Sequence, residues 1–314
     1  MCMFSLHIAS SGRSLRRSTM THQRLLWRLT VLLGALCFFV MLHGIRIPGY
    51  RAARASQLRA KPPRPLANGD VDRDGLSDAL EAELAARFAP IVILDSRERR
   101  RPASIPWLLS RIGRVDASAA GLPVDIRGGS SDPRDWITYV HVYPRADGWI
   151  NVQYWFFYAY NQGRVFFNHD ADWEHVTVVV DSTGRPRGVA FAQHRNCCPG
   201  VFRDWSRLRK RGDHPIVLSA LGTHASYPDQ DSLAVFERAS ACVGPEQCAD
   251  PIWRTWEGGG LVNIGERGAL LGSSASRDAL TYEGIWGGPG SFPRSGPAPR
   301  GPVLQNAFVS DGFQ

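Results

Sequence analysis

The stretch from His169 to Val180 reads His-Asp-Ala-Asp-Trp-Glu-His-Val-Thr-Val-Val-Val and decides the fold class of this chain. Its second half is rich in β-branched residues and predicts a strand, and a polar cluster occupies the beginning of that strand. Successive side chains of a strand point to opposite faces, so Asp170, Asp172 and Glu174 are expected to share one face. Three neighbouring carboxylates repel one another unless they are protonated, solvated or bridged by a cation.

Three interpretations of this polar cluster are open. Carboxylate oxygens with a nearby histidine suit calcium, magnesium or manganese better than zinc held by thiolates. The same residues would also suit a solvated strand end. Alternatively, Asp172, Glu174 and His175 would form buried ion pairs that fix the strand register without any metal.

Strand patterns continue on both sides of this stretch. Residues enriched in Val, Ile, Tyr, Phe and Trp, separated by turn residues, occupy 91–94, 136–143, 149–160, 175–180, 188–194 and 215–221. Short turns between consecutive strands favour antiparallel pairing. We therefore predict a mainly β protein, an antiparallel β-sandwich over 89–314 with a short N-terminal helix, a second short helix near 108–112, and long ordered loops in the last 60 residues.

A second acidic motif precedes the strands. Residues 70–81 read Asp-Val-Asp-Arg-Asp-Gly-Leu-Ser-Asp-Ala-Leu-Glu and match the D-x-D-x-D-G-x₅-E pattern of a calcium loop. The predicted ligands are Asp70, Asp72, Asp74, Asp78 and Glu81. Gly75 takes the sharp turn, and a helix over 77–88 follows. We predict an EF-hand-like calcium loop plus helix over 70–88; an acidic helix cap and turn is the alternative.

The formal net charge of +8 arises in the N-terminal segment. Residues 1–55 contain eight arginines and no acidic residue, so 29 basic residues balance 29 acidic residues in the rest of the chain. Beyond this segment we find no basic run with interleaved aromatics that would follow a phosphate backbone. Nucleic acid is therefore excluded as the expected partner.

The N-terminal arginines precede an apolar stretch over 29–42, which is the pattern of an export signal. We predict that 1–55 is either a removed signal peptide or a retained anchor that crosses the membrane once through 29–47. Residues 56–69, rich in Arg, Ala and Pro, are a predicted linker. Both outcomes place the body outside the cytoplasm, where it is secreted, periplasmic or anchored to the membrane.

Four cysteines lie in the predicted exported body, and export favours disulfides. Cys242 and Cys248 are close enough in sequence to close a small loop. Cys197 and Cys198 are then paired elsewhere or one of them is free. Spacing typical of a zinc site is absent from the sequence.

Polar residues at predicted strand ends supply further candidates. His194 and His224 are candidate general bases of a metal-dependent hydrolase, in which the ion would polarise a carbonyl or phosphoryl group. Trp155, Tyr158 and Trp173 would offer stacking surfaces to a ligand, although aromatic residues in such strands are more often part of the core.

Several motifs, taken in order, resemble the vacuolar protein sorting-associated protein 62 family. They are Leu84-Ala-Ala-Arg-Phe-Ala-Pro90 with Glu98 and Pro102, Trp155-Phe-Phe-Tyr-Ala-Tyr-Asn161, His169-x-x-Asp172-Trp173-Glu174-His175-Val176, Gln193-His194, Gly222-Thr-His224-Ala225-x-Tyr227, Tyr282-Glu-Gly-Ile-Trp286-Gly287 and Gly301-Pro302. The resemblance covers about 84–302 and implies a shared domain. Because the biochemical activity of that family is largely undefined, the resemblance implies no reaction.

The Asp-Trp-Glu core is also similar to the Gly-His-Arg-His-Asp-Trp-Glu heptapeptide of the necrosis- and ethylene-inducing-like proteins, which are secreted β-sandwich toxins that use a divalent cation at the membrane. This resemblance implies a cation, calcium or magnesium, held by His169, Asp172 and Glu174, with Asn161 in the place of an upstream aspartate. Ala171, Asp170 and Asn168 depart from the heptapeptide.

Together these features favour one function over two alternatives. We expect an exported, cation-dependent binding module whose ligand is a glycan, a lipid head group or a partner protein. The alternatives are a metal-dependent hydrolase that uses the same site and a membrane-active protein of the necrosis-inducing kind. The absence of a nucleophile elbow or an H-E-x-x-H motif from the sequence favours binding.

Overall fold

A computed structural model describes residues 69–164, 167–193, 200–289 and 296–309. The predicted signal or anchor segment, all of the predicted linker except Gly69, and the candidates His194, Cys197 and Cys198 lie outside the described residues. No helix in the described part of the chain is long and apolar enough to span a membrane.

Three helices and twelve strands make up the regular structure of the described residues. The helices are α1 (Asp78–Arg87), α2 (Ile105–Ile112) and α3 (Ser274–Leu280). The strands are β1 (Ile91–Ile93), β2 (Pro102–Ala103), β3 (Thr138–Pro144), β4 (Ile150–Asn161), β5 (His169–Val180), β6 (Pro186–Phe191), β7 (Val201–Asp204), β8 (Lys210–Arg211), β9 (His214–Ser219), β10 (Ser226–Tyr227), β11 (Ile252–Arg254) and β12 (Leu261–Asn263). The mainly β class and the short N-terminal helix are confirmed, whereas α3 was not predicted.

The strands form two sheets. The small sheet has the order β10-β9-β1-β11, with β8 paired to β9; the large sheet has the order β12-β3-β4-β5-β6-β7, with β2 paired to β4. The sandwich-like packing agrees with the prediction, but the sheets are mixed, because β1 pairs with β9 and β12 pairs with β3 in parallel. Purely antiparallel pairing was inferred from short turns, and both parallel pairs join strands that are far apart in sequence.

The large sheet is buried on both faces, as the long aromatic strand β4 requires. Tyr154 and Tyr158 belong to a core cluster that includes Val92 and Val217 of the small sheet. Side chains of the opposite face, including Trp155, pack with residues of α2 and α3. Trp155 and Tyr158 are 0% exposed and Trp173 is 5% exposed, so the stacking role considered for these three residues is wrong. They form the core that fixes the sheet.

A disulfide joins Cys242 and Cys248 with Cα atoms 5.3 Å apart, which confirms the predicted small loop. We expect the double variant Cys242→Ser/Cys248→Ser to lose about 2 kcal/mol of unfolding free energy, because the bridge restricts the unfolded chain over a short loop. Urea denaturation measures the loss, and reduction of the wild-type protein should produce the same change. Equal stability of the wild-type protein and the double variant would contradict this prediction.

Candidate functional site

The acidic loop before α1 folds around its own carboxylates. Asp70 accepts hydrogen bonds from the backbone N–H groups of Arg73 (2.7 Å) and Gly75 (3.2 Å), and Asp78 accepts one from Val71 (3.1 Å). Gly75 has φ +100°, a conformation that favours glycine, and therefore makes the predicted sharp turn. Ser77 caps α1 by accepting from Leu80 N–H at 3.2 Å. The chain thus forms the tight loop that the motif predicts.

Glu81, in the first turn of α1, is the most informative residue of this loop. It is 0% exposed, and its Oε1 has no hydrogen-bond partner. Asp72 Oδ1 and Asp74 Oδ2 are likewise buried without partners. Carboxylate oxygens of Asp70, Asp72 and Asp74 lie within 4.8 Å of one another, as do those of Asp72, Asp78 and Glu81. Unpartnered buried carboxylate oxygens are costly, and a calcium ion would satisfy them.

Mutual repulsion and burial perturb the acidity of the loop. Burial raises the pKa of Asp74 to about 7, with further increases from the charges of Asp72 and Asp70. Burial likewise raises the pKa of Glu81 to about 8, assisted by the charges of Asp72 and Asp74. These groups therefore hold protons near neutral pH until a cation replaces them. The residues fit a hard, oxygen-preferring cation.

The C-terminal part of the chain contacts this loop directly. Backbone N–H of Glu266 donates to Asp72 Oδ2 at 3.0 Å, and Asn263 Nδ2 donates to Glu81 Oε2 at 3.3 Å. Gly265 has φ +56°, and a Cβ there would lie 2.6 Å from Asp72 Oδ2, so another residue at this position would strain the approach. The Glu266 carboxylate in turn pairs with the buried His141 at 2.8 Å. The acidic loop is therefore fixed to strands β12 and β3 of the large sheet.

The second predicted site lies where β4 and β5 pair. Asn161 faces His169 and Tyr158 faces Asp172 in the antiparallel register. His169 Nδ1 donates to the carbonyl of Ala171 at 2.7 Å, and Asn161 Nδ2 donates to the carbonyl of Phe167 at 2.5 Å. Asn161 Oδ1 is buried without a partner. Both side chains are thus positioned by backbone carbonyls, one just before β5 and one within it.

Asp170 has a structural environment distinct from that of Asp172. Its carboxylate pairs with Arg127 Nε at 2.7 Å and accepts from the backbone N–H of Leu122 at 2.8 Å. Ala171, between the two aspartates, has φ +55°, which interrupts the regular alternation of the strand. The predicted repulsion among three carboxylates is therefore reduced, because Arg127 compensates one of them.

Asp172 belongs to a group that we name the acidic strand cluster, which consists of Glu98, Asp172, Glu174, His224 and Glu237. All of these side chains are buried except that of Glu174, which is half-buried. Asp172 Oδ2 and His224 Nδ1 are 2.8 Å apart, and the imidazole stacks on the Tyr158 ring with centroids 3.8 Å apart. His224 Nε2 lies 3.8 Å from Glu98 Oε2. The side chains of His224 and Asp172 are 0% and 8% exposed, so the pair is closed to bulk solvent.

Charge is concentrated in the acidic strand cluster. The pKa of Glu174 is raised well above its ordinary value by desolvation of its carboxyl group, and then by the charges of Asp172 and Glu237. The pKa of Tyr158 is raised by burial and further by Glu98, Asp172 and Glu174. Glu237 accepts a hydrogen bond from Thr223 Oγ1 at 2.8 Å. The carboxyl group of Glu174 is therefore harder to ionise than an ordinary glutamate, and a cation beside the cluster would ease its ionisation.

The structure brings together some predicted site residues but leaves others apart. Asp172 contacts His224, whereas His169 and Asn161 bond to backbone carbonyls. Among the described residues, groups of three candidate ligands within 4.8 Å occur in the acidic loop and around the disulfide beside Asp250, and His169, Asp172 and Glu174 do not form one. A cation at these residues stays a prediction. Glu98 appeared only in the family motif, and Glu237, in an irregular segment, had no sequence signal.

Comparison with known proteins identifies two related sequences in Saccharomyces cerevisiae. Putative vacuolar protein sorting-associated protein TDA6 is 27% identical over 176 residues, which cover 46% of this chain and 37% of the relative. Vacuolar protein sorting-associated protein 62 is 23% identical over 202 residues, which cover 52% of this chain and 43% of the relative. The chain thus spans less than half the length of these curated relatives. No protein-family model matches the chain.

Solved structures with a similar fold include toxins. A toxin fold for microbial attack and plant defense has a TM-score of 0.45 and 16% identity, and covers 79% of this chain and 92% of that chain. NLPPya in complex with glucosamine has a TM-score of 0.41 and 15% identity, and covers 73% and 88% respectively. Both resemblances inferred from the sequence are found again. The chain is similar in sequence to yeast vacuolar protein sorting-associated protein 62 and TDA6. The path of its backbone is similar to that of necrosis- and ethylene-inducing-like toxin-fold structures.

Proposed function

We propose that this protein is an exported, calcium-dependent binding module in which calcium bound by the acidic loop fixes helix α1 to the large sheet. The observation that carries the proposal is the environment of Glu81. Its carboxylate is fully buried, its Oε1 has no hydrogen-bond partner, and the carboxylates of Asp72 and Asp78 lie next to it. A carboxylate in this state is stable only when it is protonated or bound to a cation.

The ligand atoms favour calcium over other ions. They are carboxylate oxygens from alternate loop positions with a glutamate at the twelfth position, which suit the large and flexible coordination shell of calcium. The loop also contacts Asn263 and the backbone of Glu266. Calcium would therefore connect the N-terminal loop to strands that lie almost 200 residues later in the chain.

Export is supported by the Cys242–Cys248 disulfide, because disulfides persist in oxidising compartments. The basic and apolar N-terminal segment agrees with the same location. We propose that the module acts outside the cytoplasm, either released or held at a membrane by its N-terminal segment.

Two observations favour a binding function over a hydrolase or a membrane-active protein. They are the burial of His224 and Asp172 in the acidic strand cluster and the small size of the exposed hydrophobic side chains. His224 and Asp172 would form the base of a hydrolase, but their burial keeps a substrate away from the imidazole. Among the described residues, the large hydrophobic side chains that are exposed are four valines and one isoleucine. Membrane insertion would require a larger apolar rim with aromatic residues.

Calorimetric titration of the full chain with calcium tests the proposal. We expect one calcium to bind to the wild-type protein, and Glu81→Gln to weaken binding about tenfold or more, because the buried oxygen pair at the end of the loop is lost. Glu83→Gln is the matched control, since Glu83 is an exposed glutamate of the same helix and should leave the affinity unchanged. Failure of the wild-type protein to bind calcium would overturn the proposal.

The same titration addresses the acidic strand cluster. A second equivalent of cation that disappears in Glu174→Gln, while the first remains, would assign it to Asp172 and Glu174. Binding to vesicles and oligosaccharide arrays, measured with and without a calcium chelator, tests the binding role. Chelator-insensitive binding would contradict the proposed calcium dependence.

A further inference from the structure

Residues 302–309, which we name the covering segment, pack on the face of the large sheet that is turned away from the small sheet. Phe308 is 2% exposed and belongs to the same core cluster as Trp155. Gln153 Nε2 of β4 donates to the carbonyl of Ala307 at 2.5 Å. The covering segment thus closes part of this sheet face, and neither acidic site includes it.

His141, in the middle of β3, contacts the covering segment through its ring. The imidazole stacks on Phe308 with ring centroids 3.7 Å apart and 4° between the planes, and on Tyr143 with centroids 4.7 Å apart. It is 0% exposed, and its Nδ1 has no hydrogen-bond partner in the described part of the chain. Because a carboxylate only accepts hydrogen bonds, Nε2 donates to Glu266 at 2.8 Å, and this bond orients the ring.

Glu266 lies in a turn whose backbone is strained. Arg267, the next residue, has φ +53°, which is unfavourable for a residue with a side chain. Such a conformation persists only where the surrounding contacts hold it. The contacts of Glu266 are the hydrogen bond from its backbone N–H to Asp72 Oδ2 and the bond from His141 to its carboxylate. The turn therefore joins the acidic loop on one side to the histidine under the covering segment on the other.

Occupation of the acidic loop by calcium would affect this turn in two ways. As a ligand of the ion, Asp72 would be fixed in the position where it accepts the Glu266 N–H. Residues 70–81 contain five acidic residues and one arginine. Their negative charge would be offset, which weakens their repulsion of the Glu266 carboxylate. Both effects favour the conformation of the turn in which Glu266 meets His141.

We propose that Glu266 and His141 couple the acidic loop to the covering segment, so that calcium in the loop holds this segment on the large sheet. The inference rests on the proposed calcium site and names what its occupation regulates. Coupling between two sites is reciprocal, so docking of the covering segment in turn favours calcium binding. Glu266 and His141 are positioning residues in this coupling, because neither of them is a predicted ligand of the ion.

Hydrogen–deuterium exchange of the full chain, measured on its peptides by mass spectrometry with and without calcium, tests the coupling. Within the covering segment, the Gln305 N–H donates to the carbonyl of Pro302 and the Phe308 N–H to that of Gln305, so exchange of these amides reports local opening. We expect saturating calcium to slow their exchange about fivefold or more. The hairpin turn over 145–149, between β3 and β4, is the internal reference and should exchange at an unchanged rate.

Two variants test the path of the coupling. Glu266→Ala keeps the backbone N–H that donates to Asp72 and removes only the carboxylate that meets His141. We expect this variant to bind calcium and its covering segment to exchange at the same rate with and without calcium. Phe308→Ala removes the ring that stacks on His141, and by reciprocity we expect it to weaken calcium binding about fivefold in calorimetric titration.

Glu257→Ala is the matched control. The Glu257 side chain is 58% exposed, and its carboxylate lies 3.8 Å from Arg254, outside both acidic sites. This variant removes one glutamate carboxylate, as Glu266→Ala does. It should retain both the calcium affinity of the wild-type protein and the slower exchange of the covering segment.

The outcome separates this inference from the proposed function. If calcium binds but the covering segment exchanges at the same rate with and without it, the coupling is wrong and the calcium site stands. Slower exchange to the same extent over 145–149 would show a general tightening of the fold and would also overturn the coupling. A response of Glu266→Ala equal to that of the wild-type protein would overturn the path through Glu266. If calcium itself does not bind, the proposed function fails.

Discussion

Calcium is expected to raise the midpoint of thermal unfolding more at pH 8 than at pH 5. Without calcium, the folded protein holds protons on Asp74, whose pKa is raised to about 7, and on Glu81, whose pKa is raised to about 8. In the unfolded chain both groups ionise at ordinary values near 4. Between these limits the folded state binds more protons than the unfolded state, so the contribution of the loop to stability falls as the pH rises from about 4 to 8.

Calcium reverses this dependence because it binds the ionised carboxylates. At pH 8 it has few protons to displace, and at pH 5 it competes with protons on both groups. Calcium at about one hundred times its dissociation constant contributes about 2.7 kcal/mol. For a domain of this size, this free energy corresponds to a shift of about 5–10 °C at pH 8.

Scanning calorimetry of calcium-free and calcium-loaded protein at both pH values measures the effect. Glu81→Gln isolates the loop from other ionisable groups, since glutamine resembles the protonated carboxyl and cannot titrate. We expect this variant to lose about half of the calcium shift or more, in line with calcium binding weakened about tenfold or more, and to be more stable than calcium-free wild-type protein at pH 8. A calcium shift of the same size at pH 5 and pH 8 would show that the buried carboxylates do not hold protons.

Replacement of Asp170 by asparagine is expected to reduce the free energy of unfolding by about 3–5 kcal/mol. Asp170 is 0% exposed, pairs with Arg127, and accepts backbone N–H bonds from Leu122 and Gly288. Asparagine removes the charge and leaves the Arg127 guanidinium, only 21% exposed, without its partner. The loss is large because a half-buried guanidinium charge then has no compensating partner.

Asp116→Asn is the control for this prediction. Asp116 pairs with Arg114 at 2.8 Å, but both side chains are accessible, at 43% and 82% exposed. Its loss should change stability by about 0–1 kcal/mol, because solvent screens an exposed pair. Urea denaturation of both variants gives the comparison. Similar losses in the two variants would mean that Asp170 contributes no more than an ordinary surface aspartate.

Several parts of the fold follow from short stretches of sequence. The strand from His169 and the aromatic strand β4 follow from β-branched and aromatic composition, and both are present. Strand-favouring composition covers only 175–180, and the polar residues from His169 are predicted to occupy the beginning of the same strand. β5 includes both parts, because pairing with β4 extends the regular backbone through the polar residues. Composition marks the apolar part of a strand, and cross-strand hydrogen bonds decide where it begins.

The candidate sites divide in the same way. The acidic loop was predicted residue by residue because its twelve residues are contiguous, and the structure gathers their carboxylates. Asn263 and Glu266, which contact this loop, had no signal, because they reach it only after β12 joins the sheet. Glu98 and Glu237 join Asp172 in the acidic strand cluster for the same reason, since their irregular segments are placed by packing.

The sequence by itself determined the mainly β class, the acidic loop with its helix and the small disulfide loop, because each depends on residues within about a dozen positions of one another. Only the tertiary structure decided the two parallel strand pairs and the separate pairing of Asp170 with Arg127. These features join residues about 40 to 125 positions apart. Their contacts form only when the packing of a shared core offsets the entropy of closing long loops. The residue pattern of a short stretch does not predict that packing.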